Sequence, residues 1–202
     1  MIVTVFDTET SGLPKRPSQF KRYADPFTET SRYDSARMVE LAYVTYLVSD
    51  EKGESPKLID QRSTLVRPDD TFIITNDDIH GIPHAFATNH GRPLRDVLVD
   101  FVSAVERSDV VVSHNIEFDQ NIVCAEMVRA NMIQTARTFM NETQFVCTMK
   151  LAMQTFSLTR YPTLKHLYEI TNSSSQRWTQ THRAMDDALR AADCYMELIK
   201  RV

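Results

Sequence analysis

Two carboxylates spaced two residues apart, Asp7 and Glu9, stand where the apolar run Ile2-Val3-Thr4-Val5-Phe6 ends, with Gly12 shortly beyond. On an extended chain the side chains at i and i+2 point the same way, so both acids can project together from one strand end. Like charges in one cleft repel and raise each other's pKa unless something positive lies between them, and a shared divalent cation is the economical remedy. A solvated acidic turn would carry the same residues, so the pair alone is a weak signal. Ser113-His114-Asn115-Ile116-Glu117-Phe118-Asp119 repeats the arrangement of apolar strand, abrupt polar turn and acid, with Asp119 one turn into a helix. Asn115 is expected to brace that turn by side-chain bonds to backbone, while Phe118 and Ile122 anchor the helix and so aim Asp119. Read blandly, Asn115 is a cap and Asp119 a favourable first-turn acid.

A third group, His182-Arg183-Ala184-Met185-Asp186-Asp187-Ala188, allows a sharper reading. Ala184, Ala188, Ala191, Tyr195 and Leu198 recur at helical spacing and form the buried stripe of a terminal helix. At about 100° per residue, Asp186 lands roughly 200° from Ala184, on the solvated side, whereas Asp187 lands at roughly 300°, on the edge of the stripe. Asp187 is therefore the carboxylate able to reach an interior cleft. His182 can join it only from the turn before the helix. Asp7, Glu9, Asp119 and Asp187 are acids suited to divalent cations, and His182 is a base that titrates near neutrality. Together they match in-line hydrolysis of a phosphodiester by an activated water.

Such groups need strands that end at one place and helices that cover them. Strand character is expected over Ile2 to Phe6, Met38 to Val48, Leu58 to Val66 and Asp109 to Ser113, with a weaker strand or turn near Phe145 to Met149. Short helical pieces are expected from Asn76 to His80, over Leu151 to Phe156 and over Thr163 to Tyr168. Longer helices are expected through Leu94 to Val105, from Phe118 to about Met132, and from Thr181 onward. The pattern predicts an α/β fold, a mixed sheet covered by helices. The 202 residues fit one domain, 1–202, with a long loop insertion at about 14–36. With 23 basic and 27 acidic side chains and a net charge of -4, bulk charge does not attract nucleic acid or anionic lipid, so an anionic substrate must be held by local groups or cations. Cys124, Cys147 and Cys194 lack zinc or disulfide spacing and are expected as reduced core residues. Neither a membrane span nor a basic secretory start is visible, which leads to the expectation of a soluble intracellular protein, cytoplasmic or nuclear, with no membrane partner.

The three segments resemble the exonuclease motifs of the DEDD superfamily in its histidine subgroup, on a ribonuclease H-like fold. FDTETSGL matches the first motif, SHNIEFD the second and HRAMDDA the third. The group includes the proofreading epsilon subunit of bacterial DNA polymerase III and the three-prime repair exonucleases. The resemblance implies 3′-to-5′ removal of nucleoside 5′-monophosphates from a nucleic-acid end with two magnesium or manganese ions. Asp7 would bridge the metals, Glu9 and Asp187 would complete their protein ligands, Asp119 would bind directly or through water, and His182 would be the general base. Thr10 and Leu13 stand where relatives touch the terminal nucleotide. His80 resembles a helix-closing residue near the terminal base, and Asn115 is a further candidate for substrate contact. The polymer expected is single-stranded or frayed DNA in preference to RNA, with an exoribonuclease of RNA or short oligoribonucleotides and a non-catalytic nucleic-acid-binding or replication-interaction module as the alternatives, and the resemblance admits a polymerase or replication partner. The segment KRPSQFKRY within the insertion sets Lys15, Arg16, Lys21 and Arg22 beside Phe20 and Tyr23. Either a solvated loop or a contact with the polymer would explain it.

Overall fold

The computed structural model describes residues 1–15, 25–49, 51, 54–172 and 178–201. Most of KRPSQFKRY lies outside the described residues; Lys15 is exposed. The strands are β1 (Ile2–Thr10), β2 (Met38–Leu47), β3 (Lys57–Leu65), β4 (Val110–Ser113) and β5 (Phe145–Cys147). The helices are α1 (Asp77–His80), α2 (His84–His90), α3 (Leu94–Val105), α4 (Ile116–Arg129), α5 (Ile133–Glu142), α6 (Thr148–Thr155), α7 (Leu164–Thr171) and α8 (Ala184–Ile199). The sheet runs β3-β2-β1-β4-β5. Its first three strands pair antiparallel, and β1, β4 and β5 run parallel. This is the mixed, helix-covered α/β sheet of a ribonuclease H-like fold.

Strict alternation along β1 decides which face each residue serves. Val3 and Val5 pack into an apolar cluster with α7 and α8, whereas Phe6 packs into a second cluster with α3, α4 and α5. By the same period of two, Asp7 and Glu9 fall on the α8 face and Thr8 on the α4 face. β1 and β4 are parallel neighbours, so their carboxyl ends emerge side by side, the place where open α/β sheets gather ligands.

Three expectations need correction. The last helix begins at Ala184, not Thr181, because Arg183 is extended (φ −117°, ψ 129°) and His182 is left-handed (φ 50°). Asn115 occupies the left-handed region (φ 65°) but makes no side-chain capping bond, so it serves the turn through its backbone conformation. The 14–36 insertion is not loop throughout: Thr30–Tyr33 forms a 3-10 turn, and Tyr33 is buried in the main apolar cluster. Arg129 of α4 secures that turn, donating to the Thr30 carbonyl and to Asp34, each at 2.9 Å. Two helices were not anticipated. α2 buries only Ala87 and carries no readable apolar stripe, whereas α5 buries Ala136 and Phe139 with Met140 packed beside them, a stripe at helical spacing.

Candidate active site

An oxygen from each of Asp7, Glu9 and Asp187 lies within 4.8 Å of the others. The strand alternation supplies the first two and the edge of the α8 stripe the third. Ala184, Ala188, Ala191, Tyr195 and Leu198 are buried, and Asp187 is buried beside them. Gln180 Nε2 donates to Asp187 Oδ2 at 2.7 Å. Asp187 Oδ1 is buried with no hydrogen-bond partner among the described residues. Asp186 points elsewhere, accepting from Trp178 Nε1 and the Thr181 hydroxyl, both at 3.0 Å.

Asp119 approaches from the opposite face of β1. The Thr8 amide and hydroxyl donate to its Oδ1 at 3.1 and 2.7 Å, and the Ser113 hydroxyl donates to Oδ2 at 2.7 Å. Thr8, set between the two acids, thus ties the second motif to the first. Asp119 stands outside the three-carboxylate cluster, with both oxygens already engaged, yet its charge is among those that raise Asp7.

The crowding shows in the proton affinities. Burial, then the charges of Asp119, Asp187, Glu9 and Glu40, hold the Asp7 carboxyl well above the usual range. Glu9 is pushed up to about 8 by burial and then by Asp187, Glu40 and Asp119. Burial raises Asp119 and Asp187 each to about 6, against the pull of their hydrogen-bond donors. An unbonded buried carboxylate oxygen and three converging acids that resist ionisation are the donor set of a hard divalent cation, which would restore all three to their charged forms.

Glu40 of β2 was not anticipated as a site residue. It is fully buried, pairs in register with Glu9, and accepts from the Ser63 hydroxyl at 2.6 Å. Arg183 donates to it at 2.8 and 3.0 Å, and the Ala184 amide at 3.2 Å. These bonds keep Glu40 below the usual carboxyl range despite its burial. They pin the first residue of α8 and the turn that carries His182. The available signal was an acid in the middle of the apolar strand MVELAYV, where an unpaired charge would be costly. His182 is exposed, and its charge bears on Asp187.

On the other flank, the Thr10 hydroxyl donates to the Gly12 carbonyl at 2.7 Å, and Leu13 beyond it is 75% exposed. A Cβ at Gly12 would meet the Ser35 carbonyl oxygen at 2.6 Å, so the chain needs glycine there to turn. His80 is buried, its Nδ1 accepting from the Ile82 amide at 3.1 Å and its Nε2 facing Asn76 Oδ1 at 3.4 Å. Asn76 Nδ2 in turn donates to the Thr10 carbonyl at 2.9 Å. His80 therefore reaches the site through Asn76 and Thr10.

The exonuclease family model matches residues 4–195, which hold all five acids and bases of the three motifs. Among solved structures, exonuclease X in complex with 5′-overhanging duplex DNA is 23% identical, with 98% of this chain and 91% of that one covered and a TM-score of 0.61. The zinc-bound form of E. coli exonuclease I with single-stranded DNA is 15% identical, covering 98% and 40%, with a TM-score of 0.69. Exonuclease I from Methylocaldum szegediense is 15% identical, covering 98% and 40%, with a TM-score of 0.68. The chain thus spans 40% of those exonuclease I chains, and at these identities the likeness is one of fold. No curated protein sequence matches. With a family model that runs from the first acids to the last helix, over a site of converging carboxylates, the chain belongs to the RNase T exonuclease family.

Proposed function

We propose that this exonuclease removes nucleoside 5′-monophosphates from the 3′ end of single-stranded or frayed DNA. The observation that carries the reading is the convergence of Asp7, Glu9 and Asp187, with Asp119 locked behind them, at the carboxyl ends of parallel strands. The DNA bound by exonuclease X and by E. coli exonuclease I in their complexes supports the choice of polymer. Asp7, Glu9 and Asp187 would hold divalent cations, a magnesium or manganese pair, with Asp119 binding the second ion directly or through water. Such cations would supply Lewis acidity at the scissile phosphate and offset its charge.

The remaining work falls to side chains. His182 takes the proton of the attacking water at a ring nitrogen, and its place in a turn rather than on α8 lets the ring swing toward and away from the phosphate. Arg183, held by Glu40, fixes the hinge of that turn. Thr10 and exposed Leu13 meet the terminal nucleotide, with Leu13 against its base. A frayed end is favoured because unpairing costs energy and the phosphate must reach recessed acids.

The test uses matched end-labelled DNA and RNA strands with magnesium, manganese or EDTA, beside Asp7→Asn. Stepwise shortening from the 3′ end that is faster on DNA and vanishes in EDTA and in the variant is expected. Binding without product under every metal condition would sink the assignment.

A further inference from the structure

Beside the carboxylates, on the flank away from Leu13, lies a cavity of about 250 Å³ lined by Asn115, Glu117, Cys147, Met149, Lys150 and Tyr161. It opens over the carboxyl ends of β4 and β5, where Ser113 pairs with Cys147, and its Glu117 wall lies two residues before Asp119. The metal-site acids thus stand between two flanks, Thr10 to Leu13 at the end of β1 and this cavity over β4 and β5. For a strand whose last nucleotide meets Leu13 and whose scissile phosphate meets Asp7 and Asp187, the second flank offers a way out.

The cavity is built rather than incidental. His114, in the turn between β4 and α4, ties its walls together. Nδ1 lies 2.9 Å from the Thr148 hydroxyl at the start of α6, and Nε2 lies 3.2 Å from the Pro162 carbonyl beside Tyr161. The His114 ring adds a side-chain tie among three segments, and the turn that aims Asp119 is one of them. The lining carries two features with no other evident use. Tyr161 is 52% exposed, and among the described residues its ring has no aromatic partner and its hydroxyl no hydrogen bond. Lys150 is exposed and forms no ion pair among the described residues. Met149 and Cys147 give an apolar floor. The volume falls below the roughly 300–1,000 Å³ of sites for drug-sized ligands, so it suits one base rather than a whole nucleotide.

We propose that this cavity is the subsite for the nucleotide immediately upstream of the scissile phosphate, with its base on the Tyr161 ring and its 5′ phosphate at Lys150. The inference rests on the exonuclease reading of the carboxylate site. Ring stacking is indifferent to base identity, and a single lysine meets a phosphate as a point charge, so the subsite grips the strand without reading its sequence. Grip here holds the leaving 3′ oxygen in place while the terminal nucleotide departs.

Two single-stranded DNA substrates separate the outcomes, one intact and one abasic at the penultimate nucleotide. The wild-type protein is expected to favour the intact strand in kcat/KM by roughly tenfold. Tyr161→Ala should abolish that preference and Tyr161→Phe should keep it, while Lys150→Ala should raise KM for both strands alike. No preference in the wild type, or one that survives in Tyr161→Ala, overturns the subsite. If the wild type shortens neither strand, the exonuclease reading of the carboxylates fails instead.

Discussion

Asp186 and Asp187 are neighbours in the chain with opposite surroundings, and the difference is one of helical phase. Asp187 sits on the edge of the buried stripe with one oxygen unbonded, while Asp186 accepts from Trp178 and Thr181 on the outer side. Asp187→Asn is expected to lower kcat by a hundredfold or more, in keeping with the 2.7–4 kcal/mol or so that a single electrostatic contact to a transition state contributes. Asp186→Asn should stay within about threefold in rate and lose about 0.5–1.5 kcal/mol of stability through its weakened bonds. Steady-state kinetics beside urea denaturation of both variants decides the matter, and equal kinetic losses would reject the phase argument. Both aspartates were legible in HRAMDDA because the period of a helix needs no knowledge of the fold. Thr8 was legible in principle by the same means, since strand alternation turns it away from Asp7 and Glu9. What it meets there, Asp119, is 111 residues away and was not legible.

At the scale of elements, the join between β2 and α8 sets where the last motif stands. Glu40 has no access to solvent, and Arg183 in the turn before α8 and the Ala184 amide at its start are its partners there. Arg183→Ala leaves that buried carboxylate short of its main cation. Because the arginine side chain is 45% exposed, the full cost of breaking a buried pair does not apply, and a loss of about 1–3 kcal/mol is expected. The more telling result is kinetic: kcat should fall at least tenfold, as the His182 turn loosens, while metal affinity followed by calorimetry changes less. A variant with lower stability and an unchanged kcat would show that the Glu40 contact holds the fold but not the catalytic turn. The strands and the longer amphipathic helices were readable from periodicity. α2 was not, since it packs by Ala87 alone and its remaining positions look like loop, whereas α5 sets Ala136, Phe139 and Met140 at helical spacing and was legible in principle.

Across the whole molecule, the acids that serve the site oppose folding when no cation is present. Glu9, Asp119 and Asp187 titrate higher in the folded chain than in the unfolded one. The fold therefore binds extra protons between about pH 4 and pH 8, and its metal-free stability falls as pH rises through that window. In EDTA at pH 8, Asp7→Asn is expected to melt several degrees above the wild type, and at pH 5 the gap should narrow. Magnesium should raise the wild-type Tm more at pH 8 than at pH 5 and move the variant little, all read by differential scanning fluorimetry. A second buried network centres on Arg37. Arg37 donates to Glu126 at 2.7 Å and to Asp69 at 3.1 Å, and the Arg37 carbonyl accepts from the Ser11 amide at 2.8 Å. Glu126→Ala leaves Arg37 buried beside a half-exposed partner and is expected to cost about 3–5 kcal/mol in urea unfolding. By itself the sequence determined the α/β class, the shared face of Asp7 and Glu9 and the aspartate of the last helix that faces inward, because each follows from periodicity or spacing within a few residues. Only the tertiary structure decided how Thr8 and Ser113 lock Asp119, how Glu40 holds the His182 turn, and that a cavity opens beyond β5. Those contacts join residues far apart in the chain, and such pairings leave no local pattern to read.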